Sequence, residues 1–192
     1  MEIIIPLVAP AKSKLSAVHF LVWLAIVTIT AVAIAAVAFA AAQVAAPLVL
    51  FPLLVGGLLG GSLVLAMRIA QIGHRPTLMI GTVLAALLVV VGQHYASYLS
   101  DLRSVAEARE KFNEKIASSA AGISPELFAD HVPQAAANFA DYMRKQADAG
   151  RPITARLTLL GAYAWASWIL DGLIECVAAL WIVWWAAQPA HR

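Results

Sequence analysis

The sequence predicts an all-α integral membrane protein, with four transmembrane helices in a bundle and a small amphipathic helical cap between helices 3 and 4. The chain of 192 residues is 62% hydrophobic and only 12% charged, and its mean hydropathy is +0.82. A soluble domain carries about 25% charged residues. Four apolar runs reach the ~20 residues that a spanning helix needs, and one polar segment separates the last two. We therefore expect the lipid bilayer to surround most of the chain.

The first predicted span follows an N-terminal lead, residues 1–16, that contains Lys12 and Lys14. The run from Ala17 to Ala42 has no charged residue. A signal peptide is the competing interpretation, because an Ala-Phe-Ala triplet at residues 38–40 imitates a cleavage site. The apolar run is much longer than the ~7–15 residues of a signal peptide, however, so we predict an uncleaved helix.

The second predicted span covers residues 45–67 and contains two overlapping G-x-x-x-G spacings, formed by Gly56, Gly57, Gly60 and Gly61. Such spacings remove side chains from a helix face and let another backbone approach closely. We predict that all four glycines serve helix packing. A glycine-lined unwound site for a substrate is the alternative, and no ligand-binding partner for it is visible in the sequence.

The third predicted span covers residues 77–100 and ends in a polar and aromatic stretch. Tyr95 and Tyr98 are typical of the aromatic belt at a membrane interface, where the ring lies in lipid and the hydroxyl faces water. Gln93 and His94 come directly before them, and we place these two side chains just below that interface.

The cap is predicted over residues 101–156, where eight basic side chains balance eight acidic ones. Apolar residues at a spacing of three and four indicate that the third helix continues out of the membrane to about Ile116. Ser124-Pro125-Glu126 is typical of a helix start, and predicts a short helix to about His131. A further helix is predicted from Pro133 to a stop at Gly150. Its apolar face would consist of Ala136, Phe139, Ala140, Met143 and Ala147.

The fourth predicted span, residues 157–188, carries Asp171 and Glu175 near its middle, before a short tail at residues 189–192. A charge at the centre of a spanning helix costs at least about 2.5 kcal/mol, so these carboxyls should face the protein interior. At ~100° per residue they share one face with small side chains, while bulky residues such as Ile169 and Leu173 lie opposite. We therefore predict that the acidic face is buried and the bulky face meets lipid.

An intramembrane polar site is predicted from depth. Trp165 and Trp184 lie about 30 Å apart along the fourth helix at ~1.5 Å per residue, as a hydrocarbon core requires. Asp171 and Glu175 then lie below the outer aromatic level, at a depth that His94 and Gln93 of the third helix can share. The group could be a proton or cation site, since ionisable residues inside membranes often mark ion paths. The favoured alternative is a structural contact, in which a protonated carboxyl donates a hydrogen bond between helices.

The orientation follows from the basic residues of the short segments. Lys12, Lys14, Arg68, Arg75 and Arg192 fall on one side if the spans alternate. The positive-inside rule then predicts a multi-pass protein of the cell (inner) membrane, with both termini in the cytoplasm and the cap at residues 101–156 outside. Arg103, Arg151 and Arg156 flank spans on the opposite side and argue against it.

The sequence contains no motif or residue pattern for several classes of function. The histidines at 19, 74, 94, 131 and 191 are scattered and lack metal-ligand spacing, and Cys176 is the single cysteine, so we predict no metal, haem or other cofactor. The catalytic motifs of soluble enzymes are absent. The charge balance of the cap provides no basic surface for nucleic acid.

Three functional hypotheses remain. The first is a structural or scaffolding protein, either an accessory subunit of a membrane assembly or a homo-oligomer, as the small-residue packing faces suggest. The second is a proton- or cation-coupled transporter or channel that uses the carboxyls of the fourth helix. The third is a membrane enzyme acting on a lipid-like substrate with those carboxyls as acid and base, and it lacks an identifiable nucleophile or phosphate-binding motif.

Overall fold

The structure is a computed structural model that describes residues 17–43, 49–119, 134–154 and 157–188. Within them lie five helices and one pair of short strands. The helices are α1 (Ala17–Ala42), α2 (Leu50–Ala70), α3 (Arg75–Ser119), α4 (Phe139–Ala149) and α5 (Ala162–Ala186). The strands are β1 (Arg151–Thr154) and β2 (Leu157–Leu159), which lie between α4 and α5.

Four of these helices are long and apolar enough to cross a membrane: α1, α2, α5 and the Arg75–Lys115 part of α3. Their outer surfaces carry large apolar side chains that water would not tolerate, including Leu21, Ile29 and Leu84. A soluble protein rarely exposes apolar patches of this extent. The multi-pass membrane character predicted from composition is therefore confirmed at this level.

One compact unit comprises Met1–Gly92 together with Ser167–Arg192. Its buried core is built mainly from small and branched aliphatic side chains of α1, α2, α3 and α5. Helix α1 packs on α2. It also packs on α3, where the ring of Trp23 fills the space beside Gly81 and the Ala35 methyl group lies against Gly92. Small residues thus permit close helix contacts at these two positions.

One end of this unit is closed by main-chain caps. Gln71 ends α2 in the left-handed conformation with a φ of 53°, and the Ile72 N–H donates to the Met67 carbonyl at 3.1 Å. Arg75 begins α3 and donates from Nε to the Ala187 carbonyl at 3.1 Å. A guanidinium at the carboxyl end of α5 compensates its unpaired carbonyls and its partial negative charge. The α2–α3 turn and the end of α5 are therefore neighbours.

The second unit comprises Gln93–Ala166. Its helix α4 begins at Asn138, whose side chain accepts a hydrogen bond from the Asp141 N–H at 2.9 Å. The Asp141 carboxylate in turn accepts from the Ala137 N–H at 3.0 Å and pairs with Lys145. The hydrogen bond from the Ala137 N–H, and secondly the contact with Lys145, hold the pKa of the Asp141 carboxyl below its usual value. This reciprocal cap determines where α4 starts.

The segment predicted as an all-helical cap also contains strands, because Arg151–Thr154 and Leu157–Leu159 form an antiparallel pair. Arg151 pairs with Leu159 and Pro152 with Thr158. Gly150 precedes the pair with a φ of 90°, and Gly161 follows it with a φ of 53°. Glycine adopts a positive φ without steric cost, so Gly150 ends α4 before the strands and Gly161 separates β2 from α5. The fourth span consequently begins at Ala162 rather than at residue 157.

Other predicted boundaries also shift. The helix predicted from Pro133 begins at Phe139, although its predicted end at Gly150 agrees. The second span begins at Leu50 and extends to Ala70. The third helix continues without a break to Ser119, as the apolar spacing indicated. The lead at residues 1–16, the helix predicted over residues 124–131 and the tail at residues 189–192 lie outside the described residues.

Candidate functional site

The inner face of α5 carries the predicted carboxyls. Its buried positions, together with the half-buried Asp171, recur every three or four residues, which is the helical period, and Glu175 is one of them at 3% exposure. The small residues Ala164 and Ala179 are also buried on this face, whereas Ile169 and Leu173 are exposed. The assignment of an acidic inner face and a bulky outer face therefore agrees with the structure.

Helix α2 meets this face of α5 through two glycines. A Cβ atom placed on Gly56 would collide with the Glu175 carbonyl oxygen and lie 2.9 Å from the Ala178 Cβ. A Cβ atom on Gly60 would lie 2.9 Å from the Ile182 Cβ and 3.1 Å from the Ala179 Cα. Real side chains do not tolerate such distances, so the α2–α5 contact requires glycine at both positions.

The other two glycines of the motif lie elsewhere. Among the described residues, no atom of another helix lies within 4 Å of the Cβ positions of Gly57 and Gly61. Successive helical residues differ by ~100° in direction, so the pair at 57 and 61 faces away from the pair at 56 and 60. Among the described residues, Gly56 and Gly60 therefore take part in a close helix contact, and the packing role of Gly57 and Gly61 stays a prediction.

The Glu175 side chain is buried. Its Oε1 atom is buried and has no hydrogen-bond partner among the described residues. Asp171 lies one turn earlier on α5 and is half-buried. An unpaired buried polar atom costs roughly 1–3 kcal/mol, and such groups call for an explanation. Glu175 is therefore the strongest candidate for a functional group inside the apolar layer.

The two remaining members of the predicted polar site belong to the second unit. The side-chain Nε2 of Gln93 is buried and has no hydrogen-bond partner in the described part of the chain. The main-chain carbonyl of Gln93 accepts a hydrogen bond from the Ser97 hydroxyl at 3.1 Å. His94 is half-buried and is close enough to Arg151 for the guanidinium charge to act on its imidazole ring. Asp171 and Glu175 belong to the first unit, and Gln93 and His94 to the second.

An aromatic cluster in the second unit was not predicted from the sequence as a group. Its members are Tyr95 and Tyr98 of α3 and Phe139 and Tyr142 of α4. The ring centroids of Tyr95 and Phe139 lie 5.7 Å apart, and those of Tyr98 and Tyr142 lie 5.4 Å apart. Such distances suit edge-to-face and tilted aromatic pairs. This cluster holds α4 against α3.

Tyr142 is the buried member of that cluster. Burial raises the pKa of its hydroxyl, and the nearby Asp101 carboxylate raises it further, while a hydrogen bond with Ser97 opposes both effects. The phenol therefore stays protonated at neutral pH and serves packing and hydrogen bonding. The available signal was the apolar face of α4, but the aromatic contacts join residues more than 40 positions apart.

The chemistry open to these groups is limited. Among residues 17–43, 49–119, 134–154 and 157–188, no group of three or more histidine, cysteine, aspartate or glutamate residues could hold a metal ion. Two carboxyls one turn apart can exchange protons or bind a cation, and they can also act as hydrogen-bonding contacts between helices. Comparisons with protein-family models, curated proteins and solved structures find no match.

Proposed function

We propose that this is a small four-span protein of the cell membrane whose helices form a bundle, and that it acts as a structural or accessory subunit of a membrane assembly. It would associate with a second copy of itself or with another membrane protein. The observation that supports this proposal is the unoccupied glycine face at Gly57 and Gly61.

The two glycine pairs of α2 suit two different contacts. Gly56 and Gly60 are used by α5, and their spacing of four residues is repeated by Gly57 and Gly61. Lipid tails are as apolar as leucine, so association in a membrane depends on close packing rather than on hydrophobic burial. A smooth glycine face permits that close packing. We therefore assign this second face to a helix from another chain.

The test is the oligomeric state in nanodiscs or mild detergent. We expect the wild-type protein to be an oligomer or to copurify with a partner, and we expect the Gly57→Leu and Gly61→Leu variants to lose that association while they remain folded. Ala36→Leu is the matched control, because it adds the same side chain at another exposed small residue. A stable wild-type monomer without a copurifying partner would contradict the proposal.

The orientation proposed with this function places both termini in the cytoplasm and the cap outside. Arg68 and Arg75 lie at the α2–α3 turn, and the Arg75 contact with Ala187 brings the end of α5 to the same end of the first unit. The positive-inside rule favours the cytoplasm for that end. Residues 101–156 would then form an external cap that includes the β1–β2 pair.

Thiol labelling of whole cells tests this orientation in a Cys176→Ala background. We expect a membrane-impermeant reagent to label Glu110→Cys on α3, and to leave Gln71→Cys and Gln188→Cys unlabelled until the cells are opened. All three positions are exposed to solvent. The opposite labelling pattern would invert the proposed topology.

A second candidate function is a proton- or cation-coupled transporter or channel. The buried, unpaired Oε1 of Glu175 favours it, because ionisable groups inside membranes are rare and are often part of ion pathways. Asp171, half-buried one turn away, would be the second carboxyl of that pathway. The burial of Glu175, which is 3% exposed, gives the structural hypothesis the stronger support, since conduction requires access to water.

A further inference from the structure

The short strand pair before α5 and the first turn of that helix carry large apolar side chains that are more than half exposed. Leu157 is 51% exposed, Leu160 is 55% exposed and Tyr163 is 74% exposed. Strand β2, which reads Leu157-Thr158-Leu159, has no charged residue. Such a concentration of exposed apolar side chains at one place indicates a contact surface.

The position of this surface along the membrane normal follows from α5. Trp165 and Trp184 are both exposed on α5, and at ~1.5 Å per residue they lie about 28 Å apart, close to the ~30 Å of a hydrocarbon core. The polar layer on each side of that core is roughly 5–8 Å thick. The helix begins at Ala162, only one turn before Trp165. The strand pair must therefore lie within or beside the lipid headgroup layer.

The chemistry of the strand pair fits that layer. A two-stranded sheet has unpaired backbone groups at both edges, which exclude it from the hydrocarbon core but are solvated among the headgroups. Leucine side chains can reach from there into the acyl boundary, and a tyrosine ring has an apolar body and a polar tip suited to the same depth.

We propose that the β1–β2 pair and the first turn of α5 form a membrane-interface anchor, in which Leu157, Leu160 and Tyr163 insert into the headgroup and upper acyl region of the bilayer. The anchor holds the cap at the membrane surface through apolar insertion. Because charge is not required, it operates on a zwitterionic phosphatidylcholine bilayer. The proposal rests on the span of α5 and is independent of the association through Gly57 and Gly61.

Spin-label accessibility tests the anchor in the full-length protein, reconstituted in phosphatidylcholine nanodiscs with Cys176→Ala. Labels are placed at Leu157→Cys and Leu160→Cys. Asp148→Cys on α4, an exposed polar position, provides the water reference, and Ile169→Cys provides the hydrocarbon reference. Oxygen concentrates in the acyl region, while a water-soluble nickel chelate is excluded from it. We expect the ratio of oxygen to nickel collision rates at 157 and 160 to exceed that at 148 severalfold, and to lie below that at 169.

Each other outcome contradicts the proposal in a distinguishable way. Ratios at 157 and 160 equal to the Asp148 reference would place the strand pair in water. Labels shielded from both reagents would mean that a second copy or a protein partner covers the surface instead of lipid. If the Ile169 label also fails to report hydrocarbon, the placement of α5 itself is wrong, and the anchor is rejected together with it.

Discussion

Gly56→Leu and Gly60→Leu should each strongly lower the thermal stability of the protein. A side chain at position 56 would collide with the Glu175 backbone, and one at position 60 would collide with Ala179 and Ile182. Backbone atoms of a packed helix cannot move aside as a side chain can, so the α2–α5 contact would have to open. Overpacking of this kind typically costs about 1–3 kcal/mol, and a backbone clash falls at the upper end of that range.

The matched controls are on the same helix. Gly57→Leu and Gly61→Leu make the same chemical change one residue further along, where no other helix of the described residues lies within 4 Å, and they should lower the melting temperature much less than Gly56→Leu and Gly60→Leu. The difference between the pairs also cancels the effect of glycine on helix propensity, since both pairs lose a glycine. Equal destabilisation by all four substitutions would reject the assignment of α5 to one glycine face.

Replacing Glu175 by leucine should raise the stability of the protein by roughly 1–3 kcal/mol. That range is the usual cost of a buried polar atom without a hydrogen-bond partner, and leucine removes the polar atom while filling similar space. The contact with Gly56 should persist, because it involves the backbone and not the side chain of residue 175. Glu175→Gln is the matched control: it retains a buried polar group, and its melting temperature should stay close to that of the wild type.

The same variants distinguish the structural role from the transport role when ion flux into proteoliposomes is measured alongside unfolding. If Glu175 carries protons or cations, Glu175→Gln and Asp171→Asn should keep the fold but abolish pH-dependent ion flux, since a side-chain amide does not gain or lose a proton as a carboxyl does. Wild-type protein without flux at any pH would eliminate the transporter. Destabilisation by Glu175→Leu, in contrast, would show that the carboxyl has a stabilising partner in the membrane.

The membrane character, the number of spans and the inner face of α5 could all be predicted from the sequence. These features depend on the interaction of each residue with its solvent, because apolar side chains and a bilayer of fixed thickness act on every helix separately. The buried position of Glu175 and the exposure of Ile169 needed only the helical period and the cost of a carboxyl in lipid. No knowledge of a neighbouring helix was required.

The tertiary structure decided which glycines are used, where the fourth span begins and how α4 is held. Gly56 and Gly57 have the same local sequence environment, and only the position of α5 selects between faces ~100° apart. Strands β1 and β2 lie directly before a long apolar run, so their alternating pattern is not recognisable from the hydropathy of the sequence. In the structure, Gly150 and Gly161, both at positive φ, mark the two ends of the strand pair. The aromatic cluster joins α3 to α4 across a long separation in sequence. Such contacts depend on the simultaneous placement of several helices, so local patterns alone do not specify them.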